Sequence, residues 1–412
     1  MEPDPPAEAA TFEVVVIGAG QAGLAAARTL VQAGLRPGID LLVLDAGEGP
    51  GGAWRHRWDS LTLGRAHGIA DLPGLPLGPV DADRPAAQVV ADYYGRYEDE
   101  HGLQVRRPAQ VTAVRSGPNP DVLTVDYERE GTPSSITTSL LINATGTWTR
   151  PYVPYVPGIE TFTGTQLHTV GFRAAEDFTG RRTLVVGGGL SAVQFLLQLE
   201  PVTETVWATR RPPNFTDRGF DARWGLDVER AVRERTSIGQ RPASVVRTTG
   251  IPLLPEYVAG VESGVLVSRG MITRIRPEGV HFPGQGRAPA DGAGGLGPSA
   301  SGALVVPESW QPFEAPVDLD VDVIFWNTGF RAALDHLAPL RLRERGGGIR
   351  MRSEVEVAAD ERVLLVGYGS SASTIGATRA GRAAGRIALR RLGRVRGAGG
   401  VASTGTAAPG TT

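Results

Sequence analysis

The chain has 412 residues but no cysteine and no lysine, so its 42 Lys/Arg side chains are all arginines. The absence of cysteine excludes disulfide scaffolds, cysteine-ligated zinc, cysteine nucleophiles and a CxxC redox pair. The absence of lysine excludes a Schiff-base lysine and the lysine of a Walker motif. Any redox or transfer chemistry must therefore use other side chains or a bound cofactor.

The sequence also lacks the features that direct proteins to membranes and nucleic acids. No apolar run reaches the roughly 18 residues of a membrane span. The N-terminal MEPDPPAEAA has neither the basic start nor the apolar run of a signal peptide. The net charge of −2 gives no basic surface for nucleic acid. We expect a cytoplasmic protein with no nucleic-acid or membrane partner. No HExxH, GxSxG or carboxylate pair indicates a metal site or hydrolysis.

A glycine-rich turn follows the first predicted strand, which includes Val14 to Ile17. Residues 18–23 read GAGQAG, a complete G-x-G-x-x-G between this strand and a helix. Such glycines allow a tight turn, close approach of a pyrophosphate and close helix–strand packing. Asp45 lies 22 residues after Gly23, where a carboxylate accepts hydrogen bonds from ribose hydroxyls. This unit predicts a bound dinucleotide.

A second strand, glycine turn and helix begin at residue 181. Residues 187–192 read GGGLSA, with Ala192 in place of the third glycine. The next strand ends in Arg210 and Arg211 and has no acid there. Arginine suits a 2′-phosphate, so the sequence favours NADP(H) over NAD(H) at this turn. A turn that binds nothing is the alternative.

Two such units with different ribose signals predict two dinucleotides, FAD at the first and NADPH at the second. The expected fold class is α/β, with two Rossmann-like dinucleotide-binding domains and the NADPH domain inserted in the FAD domain. The predicted FAD domain comprises residues 1–150 and 319–393, and residues 394–412 form a disordered tail. The predicted NADPH domain spans 151–318, with a lid at 214–275 and a Pro/Gly-rich insert at 283–316.

Five motifs in order resemble those of the flavin-containing monooxygenases, over roughly residues 12–392. In sequence order they are GGAWR (51–55), ATGTW (144–148), the fingerprint F-x-G-x-x-x-H-x-x-x-[YF] at Phe162, Gly164, His168 and Phe172, the second glycine turn with Ser191, and NTGFR (327–331). The tripeptide Gly367-Tyr368-Gly369 departs from the G-D of many two-dinucleotide flavoproteins. The insert at 283–316 is also unusual.

The resemblance implies an enzyme that uses FAD, NADPH and molecular oxygen on a small-molecule substrate. One oxygen atom would pass from a flavin hydroperoxide to substrate nitrogen or sulfur, since the fingerprint closes with Phe172 and not Trp. Baeyer–Villiger oxygenation of a ketone and an NADPH-dependent flavin oxidoreductase without oxygen transfer are the alternatives. A non-catalytic nucleotide-binding protein is a third. The oligomeric state stays open, with a homodimer among the options.

The resemblance also implies site residues. Catalytic candidates are Asp59, His67 and His168, although a structural hydrogen-bonded role is favoured for His168. Trp54 and Trp58 flank the flavin or belong to the core, residues 97–100 form a solvated helix face, and Phe220, Trp224 and Tyr257 supply a lid. The cofactor-binding candidates are Gly18, Gly20, Gln21, Gly23, Asp45, Gly52, Trp54, Arg55, Val111, Thr145, Gly146, Gly187, Gly189, Ser191, Arg210, Arg211, Gly329, Phe330, Gly367 and Thr374.

Overall fold

The computed structural model describes residues 10–66, 69–216, 230, 233–242, 250–284, 305–369 and 374–394. The predicted α/β class is confirmed, because both glycine turns follow strands that pair in parallel with both of their neighbours. The helices are α1 (Gln21–Gln32), α2 (Ala86–Glu100), α3 (Leu190–Leu199), α4 (Pro255–Glu262) and α5 (Thr374–Arg391). The strands are β1 (Thr11–Ile17), β2 (Leu41–Leu44), β3 (Gln110–Ser116), β4 (Leu123–Arg129), β5 (Thr132–Asn143), β6 (Thr165–His168), β7 (Thr183–Val186), β8 (Thr205–Ala208), β9 (Phe215–Thr216), β10 (Ile251–Pro252), β11 (Arg274–Arg276), β12 (Gly279–Phe282), β13 (Val317–Asp320), β14 (Val323–Trp326) and β15 (Val363–Leu365).

The first sheet has the order β2-β1-β5-β4-β3, and β15 also pairs with β5. The long strand β5 has two roles. Its second half lies parallel to β1 and β15, and its first half is antiparallel to β4. The strands β2 and β15 are buried along their whole length, as expected where both faces of a parallel sheet are covered.

Helices α1 and α5 approach each other closely because small residues face each other. A Cβ atom at Gly381 would lie 2.2 Å from the carbonyl oxygen of Ala22, and one at Gly385 would lie 2.8 Å from Cβ of Thr29. Ala384 between them is fully buried. The C-terminal helix therefore supports the helix that begins at the first glycine turn.

The second sheet has the order β6-β14-β7-β8, and all its strands are parallel. Residues 319–393 were assigned to the FAD domain from the sequence, but β14 pairs with β6 and β7 of this second sheet. An all-buried strand such as VIFW needs neighbours on both sides, and this sheet supplies them. The division into domains stays a prediction, and a boundary after residue 326 agrees better with the strand pairing.

Strand β6 lies between the fingerprint residues Gly164 and Phe172. It forms the edge of the second sheet, and its first two residues are exposed, so apolar alternation was not required. Gly164 precedes it, and a Cβ atom there would lie 2.5 Å from the carbonyl oxygen of Asp322. Phe172, after the strand, is buried among aromatic rings. Both fingerprint residues therefore serve packing at this edge.

The insert and lid segments are described only in part. Residues 305–316 form a loop with one 3-10 turn at Pro307–Ser309; Ser309 is fully buried, and Val305 and Val306 pack on the core around Phe195. The assignment of this segment as an insert stays a prediction. Tyr257 of the expected lid is also buried in that core. Phe220, Trp224, residues 285–304 and residues 395–412 lie outside the described residues.

No helix within the described ranges is both long enough and apolar enough to cross a membrane.

Candidate functional site

The first glycine turn is shaped by two close backbone contacts. Gly18 has φ +95°, and a Cβ atom there would lie 2.5 Å from the carbonyl oxygen of Ala144. A Cβ atom on Gly23 would lie 1.8 Å from the carbonyl oxygen of Gly18. In contrast, no atom lies within 4 Å of the Cβ position of Gly20. Gly18 and Gly23 are thus required by packing, whereas Gly20 leaves space beside the start of α1.

Asp45 directly follows β2 and is buried. One carboxylate oxygen accepts the Ala19 N–H at 2.7 Å. The other oxygen accepts the Gly47 N–H at 2.9 Å and Nε–H of Arg107 at 3.2 Å. Asp45 therefore joins the glycine turn to the next loop, in addition to the ribose role expected from the sequence. Arg107 was not identified by sequence reasoning, because it lies 62 positions away in the chain.

Glu98 of α2 completes this buried network. Its two oxygens accept from Nη1 and Nη2 of Arg107 at 2.6 and 2.7 Å, and both side chains are only about 10% exposed. Burial raises the pKa of Glu98, and the Arg107 hydrogen bonds oppose that rise. The assignment of residues 97–100 to a solvated face is therefore wrong for Tyr97 and Glu98, since Tyr97 is fully buried.

The GGAWR loop lies directly on the first turn. Gly51 and Gly52 have φ +114° and +52°, and a Cβ atom on Gly52 would lie 2.9 Å from Cα of Gly20. Trp54 is partly buried against the hydrophobic core that contains Leu24 and Tyr93. Arg55 is exposed, and its guanidinium lies beside Gly49. These positions place the loop next to the space at Gly20.

The second glycine turn repeats the geometry of the first. Gly187 has φ +145°, and a Cβ atom there would lie 2.1 Å from the carbonyl oxygen of Asn327. Gly189 is the N-cap of α3, with Ser191 in the first turn of the helix. Gly188 corresponds to Ala19 of the first turn, and a Cβ atom there would make an ordinary contact with Thr209, at 3.8 Å. Ala192 is fully buried where the third glycine would pack.

The end of β8 carries the two expected arginines. Arg210 and Arg211 are both exposed, and they follow the buried Thr209. The Thr209 hydroxyl donates to the Arg211 carbonyl at 2.6 Å, which fixes the backbone of this corner. Thr209 is also the side chain that faces Gly188. The arginines thus lie beside the second glycine turn.

Two chain segments, residues 146–152 and 329–333, cross between the two sheets and are hydrogen-bonded to each other. The backbone N–H of Ala333 donates to the Gly146 carbonyl at 3.0 Å, and that of Tyr152 donates to the Gly329 carbonyl at 3.0 Å. Gly146 and Gly329 both have positive φ and open Cβ positions. A Cβ at Gly367 would lie 3.8 Å from Cα of Gly146. The ATG, TGF and GYG segments are therefore brought together at this junction.

His168 holds the second of these segments at Gly329. Its Nδ1 accepts the Val170 N–H at 3.5 Å, so Nε2 carries the proton and donates to the Gly329 carbonyl at 3.1 Å. The side chain is largely buried, and burial lowers its pKa against the opposing effect of the Gly329 bond. A neutral, hydrogen-bonded imidazole fits the structural role favoured from the sequence.

The other catalytic candidates are not brought to the junction by any described contact. Asp59 is exposed, and His67 lies outside the described residues. Trp58 packs on Phe172 and Phe195, with ring centroids 5.4 and 4.7 Å away, so its position agrees with the core alternative.

Four remaining cofactor candidates have supporting or terminal positions. Gln21 donates to the Thr378 hydroxyl at 2.7 Å, which ties α1 to α5. Val111 is buried on β3, and Thr374 begins α5. Thr145 accepts from Nδ2 of Asn143 at 3.0 Å and donates to the Ala333 carbonyl at 2.7 Å.

Sequence reasoning also missed His336. Its Nε2–H donates to Oδ1 of Asn143 at 2.6 Å, and burial lowers its pKa to about 4. This neutral histidine extends the hydrogen-bonded chain through Asn143 to Thr145. No local motif marks His336, because its partner lies 193 positions away.

Tyr368 explains the departure at Gly367-Tyr368-Gly369. Its ring is buried in the hydrophobic core that contains Val111 and Leu141 of the first sheet. Its hydroxyl accepts the Ile349 N–H at 2.8 Å. The tyrosine thus packs the sheet at the position where an acidic residue occurs in many relatives of this fold.

Both glycine turns fit a dinucleotide. The N-caps of α1 and α3 are Gly20 and Gly189, which have no side chain to cap the helix. Gly20 leaves open space beside the start of α1, where a pyrophosphate would approach the N–H groups of the helix. In the described part of the chain, no group of three or more His, Cys, Asp or Glu side chains is arranged to hold a metal ion.

Comparison with known proteins agrees with this geometry. Residues 15–235 match the pyridine nucleotide-disulphide oxidoreductase family. The solved structure of a flavin-containing monooxygenase from Stenotrophomonas maltophilia superposes with a TM-score of 0.70 and 30% identity, covering 93% of this chain and 99% of that one. The chain belongs to the pyridine nucleotide-disulphide oxidoreductase family and, within it, to the flavin-containing monooxygenases.

Curated relatives of this monooxygenase-family chain include proteins with different reactions in their names. Indole-3-pyruvate monooxygenase YUCCA1 of Oryza sativa subsp. japonica is 31% identical over 186 residues, which are 45% of this chain and 44% of that protein. A Baeyer–Villiger monooxygenase of Streptomyces coelicolor is 28% identical over 209 residues, which are 48% of this chain and 38% of that protein. The chain thus spans about half the length of the curated relatives it matches, or less.

Proposed function

We propose that this chain is an FAD- and NADPH-dependent monooxygenase that transfers one oxygen atom from molecular oxygen to a small organic substrate. The observation that carries the proposal is the pair of glycine turns, one packed on Ala144 and the other on Asn327, with different chemistry at the ribose position. Asp45 lies beside the first turn, and Arg210 and Arg211 lie beside the second. The chain has no cysteine, so the disulfide chemistry in the family's name has no residue to perform it.

In this proposal the first turn would hold FAD and the second NADPH. The N–H groups at the start of α1 and α3 would bind the pyrophosphates, and Arg210 and Arg211 would bind the 2′-phosphate. Bound together, the two cofactors supply hydride transfer and the activation of oxygen. The chain's own task is then to position and enclose them, which agrees with a site that has no described acid–base pair.

The junction residues supply that positioning. His168 holds the Gly329 carbonyl, and the Ala333 N–H holds the Gly146 carbonyl, so both crossings are fixed relative to each other. Trp148 and Phe330 stack across the same junction with centroids 5.2 Å apart. These apolar rings would exclude water from the reacting atoms.

Oxygen transfer to nitrogen or sulfur remains our first choice of reaction, and ketone oxygenation is the second. The Streptomyces coelicolor relative, named as a Baeyer–Villiger monooxygenase, favours keeping the second. Phe172 does not decide between them. It is buried among Trp58, Phe178 and Phe325, where it packs a core. Cytoplasmic location and a homodimer stay predictions of the sequence.

The test combines spectroscopy with product analysis. Protein purified with FAD is reduced by NADPH, mixed with oxygenated buffer and followed by transient absorbance. Amines, sulfides and ketones are then compared by oxygenated product per NADPH consumed. Enzyme reduced by dithionite, without NADPH, serves as the control for the contribution of the second turn. Colourless protein, or flavin reoxidation without product from any of the three classes, would refute oxygen transfer.

A further inference from the structure

Arg57 follows the GGAWR loop and lies among three tryptophans. Its guanidinium carbon is 4.1 Å from the ring centroid of Trp148, 5.7 Å from that of Trp54 and 5.8 Å from that of Trp58. The sequence signal is the spacing W-R-H-R-W at residues 54–58, in which Arg57 lies between two aromatic residues.

This arginine has no acidic partner within the described part of the chain. Its Nε is buried and forms no hydrogen bond there. Burial alone lowers its pKa, to about 10, so the side chain still carries its charge at neutral pH. Arg107, which is also well buried, differs in that it binds two carboxylates. Arg57 is partly buried, and the indole face at 4.1 Å offsets part of the cost of desolvating its charge. An anion supplied from outside would offset the rest.

The position of Arg57 links it to the proposed active site. Trp54 belongs to the loop that lies on Gly20 of the first turn. Trp148 comes two residues after Gly146 and stacks on Phe330, whose ring lies edge-on to His168 at 5.2 Å. The cation therefore lies on the junction side of the loop. Arg55, the other loop arginine, is beside Gly49.

We propose that Arg57 is the anchor for a carboxylate group of the substrate, and that the substrates are small organic acids with a flat aromatic or apolar body. A guanidinium donates paired hydrogen bonds to a carboxylate, and indole faces bind flat apolar groups. The inference rests on the proposed function, because it places the substrate at the junction. It narrows the substrate class from any small organic molecule to a carboxylic acid.

The experiment compares an acid with its neutral isostere. Phenylacetate and phenylacetamide are titrated into the FAD- and NADP⁺-loaded protein, and binding is followed by the flavin difference spectrum. A charge-assisted hydrogen bond discriminates by about 10- to 150-fold, so the wild type should bind the acid that much more tightly. Arg57→Met should bring the ratio close to one, and Arg57→Lys should leave an intermediate preference.

Arg96→Met is the matched control, because Arg96 also lies over an aromatic ring, at 6.0 Å from Tyr93, but is exposed on α2. Its acid preference should equal that of the wild type. Equal binding of acid and amide by the wild type would overturn the proposal, as would a full preference in Arg57→Met. If Arg57→Met loses FAD, Arg57→Lys decides, since an unchanged preference there contradicts a guanidinium anchor.

The binding assay requires no turnover, so its outcome is separate from that of the proposed function. Acid preference without oxygenated product would refute the monooxygenase proposal and leave the anchor in place. Product formation without acid preference would refute the Arg57 anchor and leave the monooxygenase proposal in place.

Discussion

Replacing Gly20 or Gly23 by alanine should separate cofactor binding from folding at the first turn. Both glycines belong to the same motif, but their surroundings differ. A Cβ at Gly23 would be 1.8 Å from the Gly18 carbonyl oxygen, about 1.2 Å inside the 3.0 Å limit of real contacts. At Gly20 the Cβ position is empty within 4 Å, and φ is −77°.

The expected magnitudes follow from these contacts. Gly23→Ala must push α1 away from β1, and overpacking of this kind costs about 1–3 kcal/mol. Gly20→Ala should change the free energy of unfolding of the apoprotein by less than about 1 kcal/mol, because a poorer N-cap is offset by lower entropy of the unfolded chain. Its methyl group should instead occupy the space for the pyrophosphate and weaken FAD binding by about 5- to 150-fold.

The assay uses both forms of each variant. Urea unfolding of the FAD-stripped protein gives stability without the contribution of bound ligand, and fluorescence titration gives the dissociation constant of FAD. The reasoning would be refuted if Gly20→Ala bound FAD as tightly as the wild type, or if apo Gly20→Ala and apo Gly23→Ala lost the same stability. Poor folding of Gly20→Ala would also contradict the open space at this position.

Three further predictions concern the second turn and the two buried histidines. Changing both Arg210 and Arg211 to Ala should lower the NADPH-over-NADH preference in flavin reduction by about 10- to 150-fold, and an unchanged preference would refute a 2′-phosphate role. His168→Gln should keep the pH profile of turnover, while His168→Leu should cost about 1 kcal/mol in urea unfolding. Loss of one limb of that profile in His168→Gln would instead indicate proton transfer. His336 stays neutral in the fold at a pKa of about 4, below its ordinary value of 6.5, so the unfolded chain binds more protons between these pH values. The free energy of unfolding should therefore fall by about 2 kcal/mol from pH 7 to pH 5. His336→Gln should remove this pH-dependent loss, as measured by urea unfolding at both pH values.

The parts of the fold predicted from sequence were those set by local patterns. The turn at Gly18 to Gly23 depends on contacts within a few residues and one neighbouring strand, so a motif was enough to identify it. The same holds for Gly187. In both cases a β-branched or apolar run, glycines and a helix occur consecutively.

The missed features depend on contacts between distant residues. Glu98 was assigned to a solvated face because its partner Arg107 lies across a turn, and neither residue type is normally buried without a partner. Strand β14 could not be assigned to its sheet from its own apolar run, since β6 and β7 determine the pairing. Arg57 was passed over because only the fold brings Trp148 to it.

The close packing of α1 against α5 has a consequence for synthesis of the protein. The first glycine turn is synthesised early. Gly381 and Gly385, which pack against α1, lie more than 300 positions later in the chain. A ribosome-bound chain therefore carries the first turn, our proposed FAD site, with α1 uncovered until nearly all of the described chain has emerged. Because domains generally fold as units during synthesis, the second sheet is free to form first. Holding the nascent chain at residue 365, where β14 has left the exit tunnel and α5 is not yet made, should thus give a folded second sheet that retains no flavin.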